Sequence, residues 1–148
     1  MEPDLGPDPD VVRVADDCLA IRVRLINRVI SAIYDEALRP HGIKISQANL
    51  LVAIAHRGTV RPADLCRLIR IEKSTLSRDV EVLKRQGWVE SDPPAGGRNQ
   101  ALRLTEQGRD LIRTLLPGWE QAQERARQCL GDAGAAEIHA IAHRLGFG

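Results

Sequence analysis

The sequence predicts a mainly α-helical protein in which a small helix–hairpin unit lies between long N-terminal and C-terminal helices. Apolar residues recur at steps of three and four through most of the chain, which is typical of amphipathic helices. The segment 88–104 instead contains two short alternating runs around a Gly/Pro-rich loop, which indicates a two-stranded hairpin. The length of 148 residues is that of one ordinary domain.

The first helix is predicted from about residue 10 to residue 39. Residues 1–9 contain three prolines and no periodic apolar pattern, so we expect them to form a disordered acidic tail. Eight apolar residues then recur at helical spacing: Cys18, Ile21, Leu25, Ile26, Val29, Ile30, Ile33 and Ala37. Pro40 and Gly42 end this helix, because neither residue favours its continuation.

Two further helices are predicted before the middle of the chain. Ser46 is a good N-cap for a second helix, and the almost wholly apolar body 48–55 predicts that this helix is buried. Gly58 ends it. Pro62 is favoured at the first position of a helix, and the short apolar pattern that follows reaches Ile69.

The next helix and the hairpin follow without a long linker. A helix from about 73 to 86 carries its apolar residues on one side and ends at Gly87, and the inward residues are Leu76, Val80 and Leu83. Residues 88–91 alternate like a strand, 92–97 form a turn-rich loop, and 101–104 form the returning strand.

The C-terminal part of the chain is predicted to be helical again. Thr105 caps a long helix that extends to about residue 130 and is bent or interrupted near 117–118. Glycines in 131–134 separate it from a last helix, which continues through Leu145. We therefore expect residues 10–40 and 106–148 to form one helical region around the unit 41–105.

The charge distribution favours a nucleic-acid partner. The net charge is only +1, but residues 1–20 carry −5, residues 21–60 carry +4 and residues 61–104, with nine bases against six acids, carry +3. Arginine supplies 18 of the 21 basic residues, and its planar guanidinium suits phosphate and guanine. The basic excess therefore lies in the middle of the chain.

The sequence also excludes several classes of protein. It lacks a run of about 18 apolar residues that could span a bilayer, and its acidic start does not resemble a secretory signal. Three widely spaced cysteines argue against a disulfide framework, so we expect a cytoplasmic protein. No paired base or oxyanion motif accompanies a cysteine, so we expect neither an enzyme nor a cofactor.

Two short helices followed by a hairpin make a winged helix-turn-helix, whose second helix fits the major groove of DNA. Its first turn and the hairpin tip then supply the DNA contacts. The predicted contact residues are Arg61, Lys73, Ser74, Thr75, Ser77, Arg78, Lys84, Arg98 and Asn99. Arg67 and Arg70 are further candidates for phosphate contacts.

Five short motifs give the chain a family resemblance. They are Gly42–Gln47, Asp64–Cys66, Lys73–Arg78, Leu83–Glu90 and Leu104–Gly108, the last carrying Leu-Thr-x-x-Gly. Together they resemble the MarR family of transcriptional regulators over about residues 11–146. The resemblance implies a homodimeric winged-helix repressor or activator of transcription, whose first and last helices interlock and which responds to a small lipophilic or aromatic-acid effector.

The chain departs from the family pattern at three positions. The family wing carries Asp-x-Arg before the Leu-Thr pair; the arginine is Arg98 here, but Gly96 takes the place of the aspartate. Arg61 and Glu72 stand at helix starts where Ser or Thr is expected.

The sequence itself adds support for a homodimer that binds a pseudo-palindromic operator. The first helix is longer than a winged-helix unit needs, and the C-terminal helices carry apolar faces that this unit cannot cover. The C-terminal apolar residues are Leu111, Ile112, Leu115, Leu116, Ile138, Ile141 and Leu145. An effector would bind where these helices meet the winged-helix lobe, with Arg22 or Arg28 facing its anionic group.

Alternative interpretations rest on a few other residues. Cys18 lies in the first helix and could sense oxidants, although a packing role is favoured for Cys18 and Cys66. His139 and His143 are four residues apart and could share a metal, but no third ligand is near in sequence, so no metal site is expected. A winged-helix module that binds proteins instead of DNA is the other alternative.

Overall fold

The computed structural model describes residues 6–92 and 100–146, which form six α-helices and three short strands. The helices are α1 (Pro9–Asp17), α2 (Leu19–Leu38), α3 (Ile45–Arg57), α4 (Pro62–Ile69), α5 (Lys73–Arg85) and α6 (Glu106–Arg144). The strands are β1 (Thr59–Val60), β2 (Val89–Asp92) and β3 (Ala101–Leu104), and a 3-10 turn spans Arg39–His41. The mainly helical fold and the hairpin are therefore as predicted.

The first predicted helix is in fact two helices that meet at Cys18. Cys18 has extended backbone angles (φ −69°, ψ 109°), which end α1 and begin α2. The Arg22 guanidinium donates to the carbonyl oxygens of Ala15 at 3.1 Å and Cys18 at 3.3 Å. It thereby satisfies the Ala15 carbonyl near the end of α1, whereas the Cys18 carbonyl also accepts from the Arg22 N–H at 3.4 Å. Apolar spacing continues across this break, which explains why the sequence pattern predicted one helix. Residues 1–5 of the predicted tail lie outside the described ranges.

The start of α3 is held by α2 and not by the predicted cap Ser46. The N-cap residue is Lys44, and Ser46 is exposed inside the first turn. The Ile45 N–H donates to Oδ1 of Asp35 at 2.7 Å, and the Lys44 N–H donates to Oε1 of Gln47 at 3.2 Å. The prediction for Ser46 was wrong because the tertiary structure brings a carboxylate from α2 to the helix start.

Removal of this carboxylate should destabilise the fold. We expect Asp35→Ala to lower the free energy of unfolding by about 1 kcal/mol, since it removes the acceptor of the Ile45 N–H at the start of α3. Asp35→Asn keeps an acceptor oxygen and should retain most of the stability. Urea unfolding of the two variants measures the difference; an Asp35→Ala midpoint equal to that of the unaltered chain would contradict the capping role.

The hydrophobic core lies in the winged-helix unit. It contains the predicted inward residues of α5, and it is completed by the buried face of α3, the strands and Leu115 of α6. The fully buried side chains are Leu38, Leu50, Leu51, Ile54, Leu65, Leu76, Leu83 and Leu102. The core therefore anchors both helices of the helix-turn-helix from one side.

The strands form an antiparallel sheet in the order β1–β3–β2. Val89 pairs with Leu104 and Asp92 with Ala101, so β2 lies one residue later than predicted. Strand β1, which the sequence analysis missed, has only two residues; its Thr59 pairs with Arg103.

The Leu-Thr-x-x-Gly element joins the sheet to α6. Thr105 Oγ1 accepts a hydrogen bond from the Gly108 N–H at 3.0 Å, as its predicted capping role requires. The same hydroxyl donates to the Gly87 carbonyl at 2.6 Å, and the Thr105 N–H donates to the Trp88 carbonyl at 3.1 Å. The element therefore fastens the first turn of α6 to the end of the α5–β2 connection.

The long helix α6 breaks at Gly131, inside the segment 131–134 where the sequence predicted a separation, and it is not interrupted near Pro117. Gly131 has φ 72° and ψ 157°, whereas the dihedrals around Pro117 stay helical. A Cβ on Gly118 would lie 3.3 Å from the Ala37 carbonyl oxygen, so this glycine lets α2 and α6 pack closely. Glu36 and Arg125 form an ion pair (2.8 Å) across the same two helices. Within the described ranges no helix combines the length and the hydropathy needed to cross a membrane.

Candidate nucleic-acid interface

Helices α4 and α5 form the helix-turn-helix, and residues 70–72 form its turn. Arg70 ends α4 in the left-handed conformation (φ 52°, ψ 48°), and the Ile71 N–H donates to the Cys66 carbonyl at 3.2 Å. These two features reverse the chain over three residues, so α5 begins at Lys73 close to the end of α4.

The first turn of α5 presents the predicted contact residues to solvent. Lys73, Ser74, Ser77 and Arg78 are exposed, and Thr75 is half-buried. The opposite face of α5 packs on the core through the three residues predicted to face inward. Because one face of the helix is anchored, the exposed face is a rigid surface of small hydroxyl groups and two cations.

The starts of both helices lack the usual caps, as the sequence suggested. Arg61 is the N-cap residue of α4 and Glu72 that of α5, and neither side chain makes a capping hydrogen bond. Arg61 instead donates from Nε to Oδ2 of Asp64 at 3.0 Å, and Arg67 also hydrogen-bonds to Asp64. The bonds from Arg61 and Arg67 hold the pKa of the Asp64 carboxyl below its usual value, so Asp64 stays ionised.

Lys84 is the remaining predicted contact that lies within the described residues. Lys84 Nζ donates to Ser91 Oγ at 2.6 Å, which joins α5 to β2. Arg98 and Asn99 belong to the segment 93–99, outside the described residues, so their DNA contacts stay predictions.

The structure adds one basic residue that sequence reasoning missed. Arg57, at the end of α3, lines a cavity of about 490 Å³ together with Arg61 and Asp64. Arg57 is only four residues before Arg61, so its position at the end of α3, just before α4, was already a local signal in the sequence.

A second cavity, of about 270 Å³, lies where α6 leaves the winged-helix unit. Its apolar lining comes from Ala55, Leu104 and Ile112. Two cations, Arg109 and Arg113, complete the lining with Gly58. Both arginines also contact acidic groups on α6: Arg109 lies 3.5 Å and Arg113 3.9 Å from Glu106, and Arg113 pairs with Asp110.

The cysteines and histidines fall in different surroundings. Cys18 is half-buried at the α1–α2 junction, Cys66 packs against the core, and Cys129 is exposed; all three are free thiols. His139 and His143 are exposed on α6. The described part of the chain holds no group of three or more side chains suited to a metal ion.

The fold is similar to that of solved MarR proteins. A mutant MarR from E. coli, complexed with operator DNA, superposes with a TM-score of 0.78 at 18% identity, covering 90% of this chain and 96% of that one. The transcriptional regulator MosR from M. tuberculosis, in complex with DNA, gives a TM-score of 0.73 at 27% identity, covering 87% of this chain and 96% of that one.

Sequence comparison points to the same family. A curated relative, the multiple antibiotic resistance protein MarR of Salmonella typhimurium, is 24% identical over 113 residues, which cover 74% of this chain and 78% of the relative. The family model described as MarR family matches residues 41–98, which contain the helix-turn-helix. The matched segment, the relatives and the fold agree: residues 41–98 match the MarR family, and the whole chain is similar in fold to MarR-family winged helix-turn-helix regulators.

Proposed function

We propose that this protein is a homodimeric transcriptional repressor that binds a pseudo-palindromic operator through α5. The observation that carries the proposal is the exposed first turn of α5, with Lys73, Ser74, Ser77 and Arg78 on a helix whose other face is anchored in the core. A helix fits the major groove, and small hydroxyl side chains allow close approach to base edges. Arg78 is the residue of this turn suited to guanine or phosphate.

The basic surroundings of α5 support backbone contacts on either side of the groove. Arg61 and Lys84 are exposed near the two ends of the helix-turn-helix, and Arg98 and Asn99 are the contacts that the sequence predicts for the wing. Phosphate contacts set the position of a protein on DNA, and base contacts give specificity. Arg61 shares Asp64 with Arg67, so its charge is partly balanced and its contribution should be smaller than that of Arg78.

Exposed apolar side chains outside the winged-helix unit support the homodimer. In the single chain, large apolar residues of α1, of α2 and of α6 with its C-cap residue face solvent: Val11, Val12, Val14, Leu19, Ile21, Val23, Leu25, Ile26, Val29, Leu116, Trp119, Ile138, Ile141 and Leu145. So much exposed apolar surface is typical of an interface. A two-fold axis lets the same surface cover itself and sets two recognition helices about 34 Å apart, one turn of DNA.

Replacement of Arg78 tests the DNA contact. We expect Arg78→Ala to weaken operator binding by about 1–3 kcal/mol with relaxed specificity if Arg78 contacts a base, or to reduce the salt slope by about one if it contacts a phosphate. Operator fragments selected from the native genome, titrated by fluorescence anisotropy at two salt concentrations, distinguish these cases.

Arg85→Ala is the matched control, because Arg85 is exposed in the last turn of the same helix. It removes the same charge but lies about 10 Å further along the axis. Equal losses in both variants would indicate general electrostatics, and unchanged affinity for Arg78→Ala would refute the assignment. A chain that retards no genomic fragment would favour a protein-binding module.

We also propose an aromatic-acid effector, and the cavity beside Arg109 and Arg113 supports it. The cavity lies at the expected junction of the helical region with the winged-helix lobe, and it combines apolar walls with two cations. The sequence predicted Arg22 or Arg28 as the cation that faces the anionic group of the effector. Arg22 instead hydrogen-bonds to the carbonyl oxygens of Ala15 and Cys18. A ligand here releases DNA only by favouring one spacing of the recognition helices.

Thermal unfolding with a panel of aromatic carboxylic acids tests this site. We expect a ligand at 100 times its Kd to raise stability by about 2.7 kcal/mol, and Ile112→Ala or Arg113→Ala to reduce that gain. The active acid should also displace operator DNA. A panel without any thermal shift would count against the effector, as would a shift that both variants retain in full.

A further inference from the structure

Arg70 connects the helix-turn-helix to the C-terminal end of α6. Its Nη2 donates to the carbonyl oxygen of Leu145 at 2.7 Å, across 75 residues of sequence. Leu145 is the C-cap residue of α6, where carbonyl groups lack helical partners and carry the negative end of the helix dipole. A guanidinium at this point donates a hydrogen bond to an open carbonyl, and its positive charge is stabilised by the negative end of the helix dipole.

The backbone of Arg70 has the left-handed conformation, which is unusual for a residue other than glycine. Among the described residues, Arg70 is the one non-glycine residue with a positive φ, 52°. Glycine adopts this conformation readily, whereas residues with a Cβ adopt it at a cost. The helix-turn-helix therefore carries a long cationic side chain at a position whose backbone favours glycine, and that side chain reaches the far end of another helix.

The hydrogen bond between Arg70 and Leu145 lies directly before the recognition helix α5. Arg70 lies three residues before Lys73, the first residue of α5, and Ile71 is bonded to the end of α4. The winged-helix unit also joins the helical region through the covalent connections at 39–44 and at Thr105, through the Asp35 cap, and through the packing of Leu38 and Leu115 in the core. The Arg70–Leu145 bond is a further attachment, made directly at the turn before the recognition helix.

We propose that Arg70 is a positioning residue that holds the recognition helix in a set orientation to the C-terminal helix. The inference rests on the proposed DNA-binding function, because its consequence is operator affinity. Two recognition helices must match two half-sites at once, so a fixed angle of each lobe raises affinity without any contact of Arg70 with DNA. A shift of the end of α6 would move α5 through the same bond.

Two substitutions remove the bond from opposite ends. Arg70→Gly deletes the guanidinium and suits the left-handed backbone, so the turn itself should remain folded. Gly146→Pro acts on the acceptor: Gly146 has φ 89°, which proline cannot adopt, and a following proline disfavours the present angles of Leu145 (φ −84°, ψ 1°). The Leu145 carbonyl is thereby reoriented while Arg70 is untouched.

The test compares operator affinity and salt dependence for the unaltered chain, both single variants and the double variant. We expect each single variant to weaken operator binding three- to tenfold with an unchanged salt slope, and the double variant to bind no more weakly than Arg70→Gly alone. Arg85→Ala is the matched control, because Arg85 is an exposed arginine of the helix-turn-helix that lies outside the predicted DNA contacts. It should change affinity only through its charge.

Two outcomes overturn the proposal. Arg70 would be assigned to a direct phosphate contact if the losses of operator affinity were additive and the salt slope were lower for Arg70→Gly but unchanged for Gly146→Pro. Full affinity in both single variants would show that the bond does not position α5.

Amide hydrogen exchange without DNA separates this result from failure of the proposed function. In Gly146→Pro the amides of Ile71 and Leu76 should exchange several-fold faster, although the substitution is 70 residues or more away. This acceleration should occur even if the unaltered chain binds no DNA. Unchanged exchange at both amides would refute the coupling between the two ends of the bond.

Discussion

Gly108→Ala should strongly destabilise the protein, with a loss of about 3 kcal/mol in the free energy of unfolding. A Cβ on Gly108 would lie 2.2 Å from the Trp88 carbonyl oxygen and 3.1 Å from the carbonyl carbon. Both atoms are backbone, so a rotamer change cannot relieve the overlap. The first turn of α6 must move away from the sheet, which breaks the bond from the Thr105 N–H to Trp88. Urea or thermal unfolding measures the loss.

Gly134→Ala is the matched control in the same helix. A Cβ there meets only Leu130 Cβ at 3.6 Å, an ordinary contact, and the backbone is helical. Alanine has the higher helix propensity, so this variant should gain up to about 1 kcal/mol. A Gly108→Ala protein as stable as the unaltered chain would mean that α6 does not pack against Trp88 as described.

Leu25→Asp should separate the proposed dimer and abolish tight operator binding. Leu25 is 61% exposed in the single chain, so aspartate there costs little in a monomer. In a two-fold interface the same change buries two unpaired carboxylates, which costs several kcal/mol. Sedimentation should show a folded monomer at micromolar concentration. Operator affinity should fall about 100-fold or more, because two half-sites are no longer held by one rigid unit.

Val52→Asp is the control for this substitution. Val52 is 53% exposed on α3, which belongs to the winged-helix unit and not to the helical region. It changes an exposed apolar helix residue in the same way and should leave the dimer intact. A Leu25→Asp protein that sediments as the unaltered chain does, or an unaltered chain that is itself a monomer, would contradict the dimer and the palindromic operator with it.

The amino-acid sequence by itself determined the helices of the winged-helix unit and the residues that face its core. Apolar spacing placed Leu76, Val80 and Leu83 inward, and the opposite face of α5 followed from the same period. Pro62 and Thr105 marked helix starts correctly, because the chemistry of these positions is local. The hairpin followed from two alternating runs around a turn-rich loop.

Tertiary structure decided the features that depend on residues distant in sequence. The cap of α3 comes from Asp35 on another helix, and the two-residue strand β1 exists only because β3 lies beside it. The close approach of Gly108 to Trp88 gives the Leu-Thr-x-x-Gly element its structural reason, and the bond from Arg70 to Leu145 joins residues 75 apart. Sequence periodicity reports which face of an element is buried, but the partner that a polar group finds is set by how the elements pack.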